Sequence, residues 1–289
     1  MRVILVSILI FGSILSAPQL YANVCSWYLT SQPRTLIREL EAPLGQAIKA
    51  NFSPQNLKSF AVIDTSKIFA PNYAEQVLSG LTENYLLNNP PLNNFGEKPA
   101  SLMFIIQKNI VISDYVFPHR PEIQGRGLLR TTTTLPQELA KDLAAVARTV
   151  LRVMRNSMPK VPGKKLVLSD LRLHVHGTMP FYSRTSEFHA DGDNFTVLVP
   201  LTGIGTLYTE NKKYKDMTAD ESYAHRSDIK QLAIGHMIIM SGQTIGLSAK
   251  GSNLENMPPT LHAAPRNTSG KGRLLLVIRF NLIDLNEEY

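Results

Sequence analysis

The spacing of apolar positions changes character part-way along the chain. After the first thirty or so residues, Leu36, Ile37, Leu40, Leu44 and Ile48 recur at helical spacing, with Pro43 expected to kink or divide the segment. Residues 72–88 carry a second helical pattern through Ala74, Val77, Leu78, Leu81 and Leu86. Between them SFAVID predicts a short strand, as does LMFIIQKNIVI from Leu102. Residues 118–134 lack a helical period and hold Pro121, Gly125, Gly127 and four consecutive threonines, which predicts a mobile or strand-like connection. The strongest helical pattern spans Pro136 to Met158, with Leu139, Leu143, Val146, Val150, Val153 and Met154 down one face and Pro136 in its first turn. Pro159 and the VPGKK string end it, and a boundary is set near residue 165.

Beyond that point the period shortens to two or gives way to continuous apolar runs. LVLSDLRLHVHG, NFTVLVPLTGIGTLY, IKQLAIGHMIIMSG and GRLLLVIRFNLIDL follow one another, punctuated by Gly177, Gly192, Gly203, Gly205, Gly242 and Gly270. A run of short strands over about 120 residues fits a two-sheet jelly roll or a small barrel. The expected fold class is α+β: a mostly helical N-terminal layer over residues 23–165, packed on a C-terminal jelly roll, or double-stranded β-helix, over residues 166–289. There is no internal repeat and no low-complexity stretch.

Composition narrows the class. Of 289 residues, 44% are apolar and 18% charged, which excludes global disorder and leaves ample material for a core. The one long uncharged apolar run is Val3 to Leu15, preceded by Arg2 and followed by SAPQLYA. That order of charge, apolar stretch and small residues predicts a signal peptide over residues 1–22 cleaved after Ala22, hence an exported protein, periplasmic or secreted; an uncleaved membrane anchor is the alternative. No membrane span is expected once it is removed. A fusion of residues 1–30 to a folding-sensitive reporter should be exported and trimmed near Ala22. Cytosolic protein whose N-terminal sequencing begins at Met1 would overturn this. Cys25 is the single cysteine, so no internal disulfide framework is possible. The formal charge of +7 is dispersed, without a block of interleaved basic and aromatic residues, so no specific nucleic-acid partner is expected.

Chemistry concentrates in the β half. His189-Ala190-Asp191 places an imidazole and a carboxylate on one side of an extended chain, because strand side chains alternate. His262, brought from a distant strand, can complete one face of an octahedral metal, leaving three positions open. Arg273, eleven residues beyond His262, opens a strand and offers a planar fork suited to a carboxylate. Asp193 competes with Asp191, but Gly192 marks the start of a turn and ranks Asp193 lower. His174-Val175-His176 shares a strand face, yet Pro180 stands four residues past His176 and Glu187 eleven, so the cupin His-X-His…Glu spacing fails; a sandwich or pocket-wall histidine is the better reading. Tyr182 and Arg184 are further pocket candidates, and His119, His225 and His236 receive no role.

From about Leu171 to Phe280 the chain resembles the 2-oxoglutarate- and Fe(II)-dependent dioxygenase superfamily, through FHAD, FTVLVPLTGIGTLY, IGHMIIMSG and LHAAPRNTSGKGRLLLVIRF. The resemblance implies that His189, Asp191 and His262 ligate Fe(II) and that Arg273 holds the distal carboxylate of 2-oxoglutarate. Arg279, six residues past Arg273, would touch the metal-proximal carboxylate, as in some nucleic-acid-demethylating members, or be a cation ending a strand. The implied activity is hydroxylation or a related oxidation of an unidentified primary substrate by dioxygen, with release of succinate and carbon dioxide. A non-catalytic exported metal- or ligand-binding jelly roll is the alternative, motivated by the scarcity of Fe(II) and 2-oxoglutarate in a periplasm; Arg273 argues against it. A metal-dependent dioxygenase that uses no keto acid would also leave Arg273 unexplained. Substrate specificity is expected from the N-terminal layer and from residues 208–228 as a lid.

Overall fold

The computed structural model describes residues 33–67, 101–105, 128–129, 137–176, 187–219, 226–264 and 273–286. The signal segment, Cys25, the pattern over 72–88, His119, Tyr182, Arg184 and His225 lie outside them. The elements in chain order are α1 (Pro33–Asn51), β1 (Phe60–Asp64), β2 (Ser101–Ile105), α2 (Gln137–Ser157), β3 (Lys164–His176), β4 (Phe195–Thr202), β5 (Leu207–Thr209), β6 (Lys230–Gln231), β7 (His236–Ser241), β8 (Leu261–Ala263) and β9 (Arg273–Asp284).

Two sheets form. The larger is ordered β1-β7-β4-β9-β3-β2, with Leu128–Leu129 added beside β2, and the smaller β8-β5-β6. The backbone of His189 joins the smaller sheet by a reciprocal bridge to His262, with N–H to O distances of 3.0 and 2.8 Å. From β3 onward the chain therefore alternates between sheets: β3, then residues 187–190, β4, the β5–β6 pair, β7, β8 and β9. Together they make a jelly roll, as expected from the sequence.

Parity along the long strands decides which residue meets which core. In β9, Leu274, Leu276, Ile278 and Phe280 face α1 and α2, where Leu40, Leu44 and Ile48 meet Ala147, Val150 and Met154. Leu275 and Val277 face inward and join Leu198, Tyr208, Ile238 and Met240 between the sheets. Arg273 and Arg279 share the inward parity of Leu275 and Val277. A third cluster, Phe188, Ala190, Leu207, Tyr214, Ala219, Ile229, Leu261 and Ala263, covers the outer face of the small sheet.

Two details depart from the sequence expectation. Helix α1 runs through Pro43 without dividing. The ring is exposed and costs one backbone hydrogen bond, while Leu40, Leu44 and Ile48 stay buried against α2 and hold the two halves together. The two strands expected in the mixed N-terminal layer, at SFAVID and from Leu102, both form: β1 pairs with β7, and β2 with β3, so both extend the larger sheet. Residues 209–219 pack as a cover rather than stand free as a lid. Tyr214 is 2% exposed beside Phe188, and its hydroxyl donates to Asp228, which also pairs with Lys213.

Candidate metal centre

His189 and Asp191 point inward because Phe188 and Ala190, at alternate positions, are buried on the outer side of the small sheet. His262 points inward for the same reason, flanked by buried Leu261 and Ala263. Its backbone bridge to His189 stacks the two imidazoles, with ring centroids 4.4 Å apart. The His189 Nε2 lies 3.8 Å from Asp191 Oδ1, and the His262 Nε2 lies 3.7 Å from Asp191 Oδ2. One donor atom from each residue falls within 4.8 Å of the others. Two donors each about 2.1 Å from an ion stand at most about 4.2 Å apart, a span that both His–Asp separations meet.

The protonation states suit a cation. His189 Nδ1 sits 2.7 Å from the carbonyl oxygen of Glu187, which can only accept, so Nδ1 donates there and Nε2 is the ring nitrogen turned to the site. Burial, opposed by nearby Asp191, pushes His262 down to about 4, leaving it neutral at physiological pH. Burial alone would raise Asp191, but His262, Arg279 and a 2.7 Å hydrogen bond from the Thr196 hydroxyl outweigh it and hold the carboxyl at about 2. Two imidazoles and one carboxylate on a single face form the donor set of non-haem Fe(II) sites.

Arg279 is neither a strand-end surface cation nor free to roam. Its side chain is 24% exposed and reaches three carboxylates: Asp191 at 3.3 Å, Asp193 at 3.4 Å and Asp170 at 3.9 Å. Asp193 turns away from the cluster, accepting from Asn281 Nδ2 at 2.9 Å, so it braces the loop rather than adding a ligand.

Arg273 is 3% exposed, and its Nη2 donates to the Thr206 hydroxyl at 2.7 Å. Its Nε has no hydrogen-bond partner among the described residues, and burial lowers the guanidinium to about 10. A buried cation with unused donors fits an incoming carboxylate, so these residues suit the distal end of a keto acid. The triad, Arg273, Arg279, Thr206 and His174 line one cavity with Leu198, Leu275 and Val277. His174 is kept neutral there, pushed down to about 3 by burial and by Arg172, Arg279 and Arg273. The structure thus brings together His174, His189, Asp191, His262, Arg273 and Arg279 and adds Thr196, Thr206 and the Glu187 carbonyl, while Tyr182 and Arg184 fall outside the described residues. Inward parity next to Phe195 and Leu207 was the one signal that could have found the two threonines.

No family model matches the chain, and no curated protein matches it. In fold it is similar to solved oxygenases. One is a prolyl hydroxylase from Trichoplax adhaerens in complex with a hypoxia-inducible-factor peptide, at 9% identity and TM-score 0.43, over 89% of this chain and 93% of that one. Another is a 2OG-Fe(II) oxygenase family protein from Caulobacter crescentus, at 14% identity and TM-score 0.40, over 89% and 85%. A third is the dioxygenase for auxin oxidation of Arabidopsis thaliana with 2-oxoglutarate, at 10% identity and TM-score 0.41, over 88% and 91%.

Proposed function

We propose that the protein is an Fe(II)- and 2-oxoglutarate-dependent dioxygenase that hydroxylates or otherwise oxidises an unidentified primary substrate, releasing succinate and carbon dioxide. The observation that carries this is the pairing, in one cavity, of the His189–Asp191–His262 donor set with the buried, under-partnered guanidinium of Arg273. Bound to the three side chains, Fe(II) would supply the oxidative chemistry with dioxygen and the keto acid. The chain's own residues do the rest. Glu187 and Thr196 orient His189 and Asp191. Arg273 and Thr206 would hold the distal carboxylate, and Leu198, Leu275 and Val277 keep the wall between them apolar. Export through residues 1–22 remains part of the proposal, with no nucleic-acid partner.

Anaerobic Fe(II) titration with and without 2-oxoglutarate tests it. A weak visible charge-transfer band should grow only when both are present, and adding oxygen should then release succinate. Tight metal binding that is indifferent to 2-oxoglutarate would move the protein to the non-catalytic metal-binding class.

A further inference from the structure

The loop that carries Asp191 belongs to no continuous strand ladder, so its carbonyl groups need partners from elsewhere. They find them on one short turn, Gly242-Gln243-Thr244, which follows β7. The Gly242 N–H donates to Asn194 O at 2.9 Å and the Gln243 N–H to Asp191 O at 2.8 Å. The Gln243 side-chain amide donates to Ala190 O at 2.9 Å, and the Thr244 hydroxyl to Gly192 O at 2.8 Å. Three consecutive residues thus grip four carbonyls of the five-residue stretch 190–194. The approach is so close that a Cβ on Gly242 would lie 1.9 Å from Asp193 O and 2.8 Å from Asp191 O, and only glycine admits it. From the other side, the Asn194 side-chain carbonyl accepts from the Leu282 N–H at 2.6 Å, and Asn281 accepts from the Asn194 N–H at 2.9 Å.

We infer that the Gly242-Gln243-Thr244 turn is a positioning element for the metal centre, setting the aim of the Asp191 carboxylate through the backbone on either side of it. The inference rests on the metal-centre reading above. Gln243 bonds the carbonyls of both Ala190 and Asp191, the two peptide units that flank the Asp191 Cα and fix its side-chain direction. Its side chain is otherwise exposed, so it fills no core volume. Its removal should loosen the ligand rather than the fold.

The test uses the full-length protein with Co(II) as the probe, followed by ligand-field absorption, alongside thermal melting of the metal-free form. Gln243→Glu keeps the size but cannot donate to Ala190 O; Gln243→Ala removes the group altogether. Both should weaken Co(II) binding roughly tenfold and shift the ligand-field bands, while the metal-free melting temperature stays close to wild type. Asn56→Ala, which deletes a bond of the same kind from the remote Phe52–Leu57 hairpin to the carbonyl of Ala50 at the end of α1, should change neither. Gly242→Ala should be worse than either Gln243 variant; if it fails to fold, the Gln243 pair decides. Wild-type affinity and an unshifted spectrum in both Gln243 variants would overturn the positioning role. A wild-type protein that takes up no Co(II), or a His262→Ala variant that takes it up equally well, would instead bring down the metal-centre reading and this inference with it.

Discussion

His262→Ala should yield a folded protein that no longer holds Fe(II), and His189→Ala and Asp191→Ala should do the same. Three donors from the chain leave no spare one, because Asp193 is turned onto Asn281 and Arg279, and no other group of His, Cys, Asp or Glu converges among the described residues. Losing an outer partner of a ligand typically costs about 10–100-fold in metal affinity, so losing a ligand should exceed that range. The three variants should differ in the metal-free state. His262→Ala removes a buried imidazole whose Nδ1 has no described partner, and the protein should tolerate it. Asp191→Ala strips Thr196 of its acceptor and brings the charge of Arg279 onto Asp193 and Asp170 alone, so it should melt earliest. Metal stoichiometry after anaerobic loading is the measurement. Full stoichiometry in any two of the three variants would sink the assignment.

Arg273→Ala should weaken 2-oxoglutarate binding to the Fe(II)-loaded protein by well over tenfold, since truncating one partner of a buried charge pair costs about 2–5 kcal/mol. Arg273→Lys keeps a charge but loses the fork, and should fall between the two. Fe(II) affinity should barely move in either, because the one partner described for Arg273 is Thr206. Arg279→Ala should show the reverse pattern, weakening the metal more than the keto acid, because its nearest carboxylate is that of Asp191. Stability supplies a second, independent readout. Burial lowers the Arg273 guanidinium to about 10, which means that the folded state disfavours its charged form and is destabilised by it wherever the group is protonated, at neutral pH in full. Arg273→Met should therefore melt at or above the wild-type temperature in the metal-free state while failing to bind the keto acid. Calorimetric titration and melting curves on the same samples check both halves. Wild-type keto-acid affinity in Arg273→Ala would refute the cosubstrate assignment.

The parts legible in the sequence are those in which side chains obey a period. β9 is apolar at almost every position, yet alternation alone separates Leu274, Leu276 and Ile278 from Leu275 and Val277, and places Arg273 and Arg279 with the second set. The same rule puts His189 and Asp191 on one side with Ala190 on the other. What alternation does not carry is contact through the backbone. The grip of Gly242, Gln243 and Thr244 on residues 190–194 is made mostly to carbonyl groups, which every residue has, and its single sequence mark is a glycine among many. Pro43 misled because the helix-breaking tendency of proline is local, whereas the packing of Leu40, Leu44 and Ile48 is not. The cover over the small sheet was missed for a related reason. The stretch around Tyr214 is polar in composition, and only the burial of Tyr214 against Phe188 makes it part of a core.

The seam between β1 and β7 has a consequence for when this chain can finish folding. β1 lies near the start of the described chain, and its neighbourhood is secured from far downstream: Thr65 donates to the carbonyl of Gly235 across 170 residues, and Ser59 to Glu210 across 151. Because β7 also lies between β1 and β4, the N-terminal segment has no sheet to join until β7 has emerged and docked. Contacts of such sequence separation are slow to form, and loop closure must precede any gain from them. A chain emerging N-terminus first would therefore stay open through most of its synthesis, with the apolar face of α1 exposed and dependent on α2 for shelter.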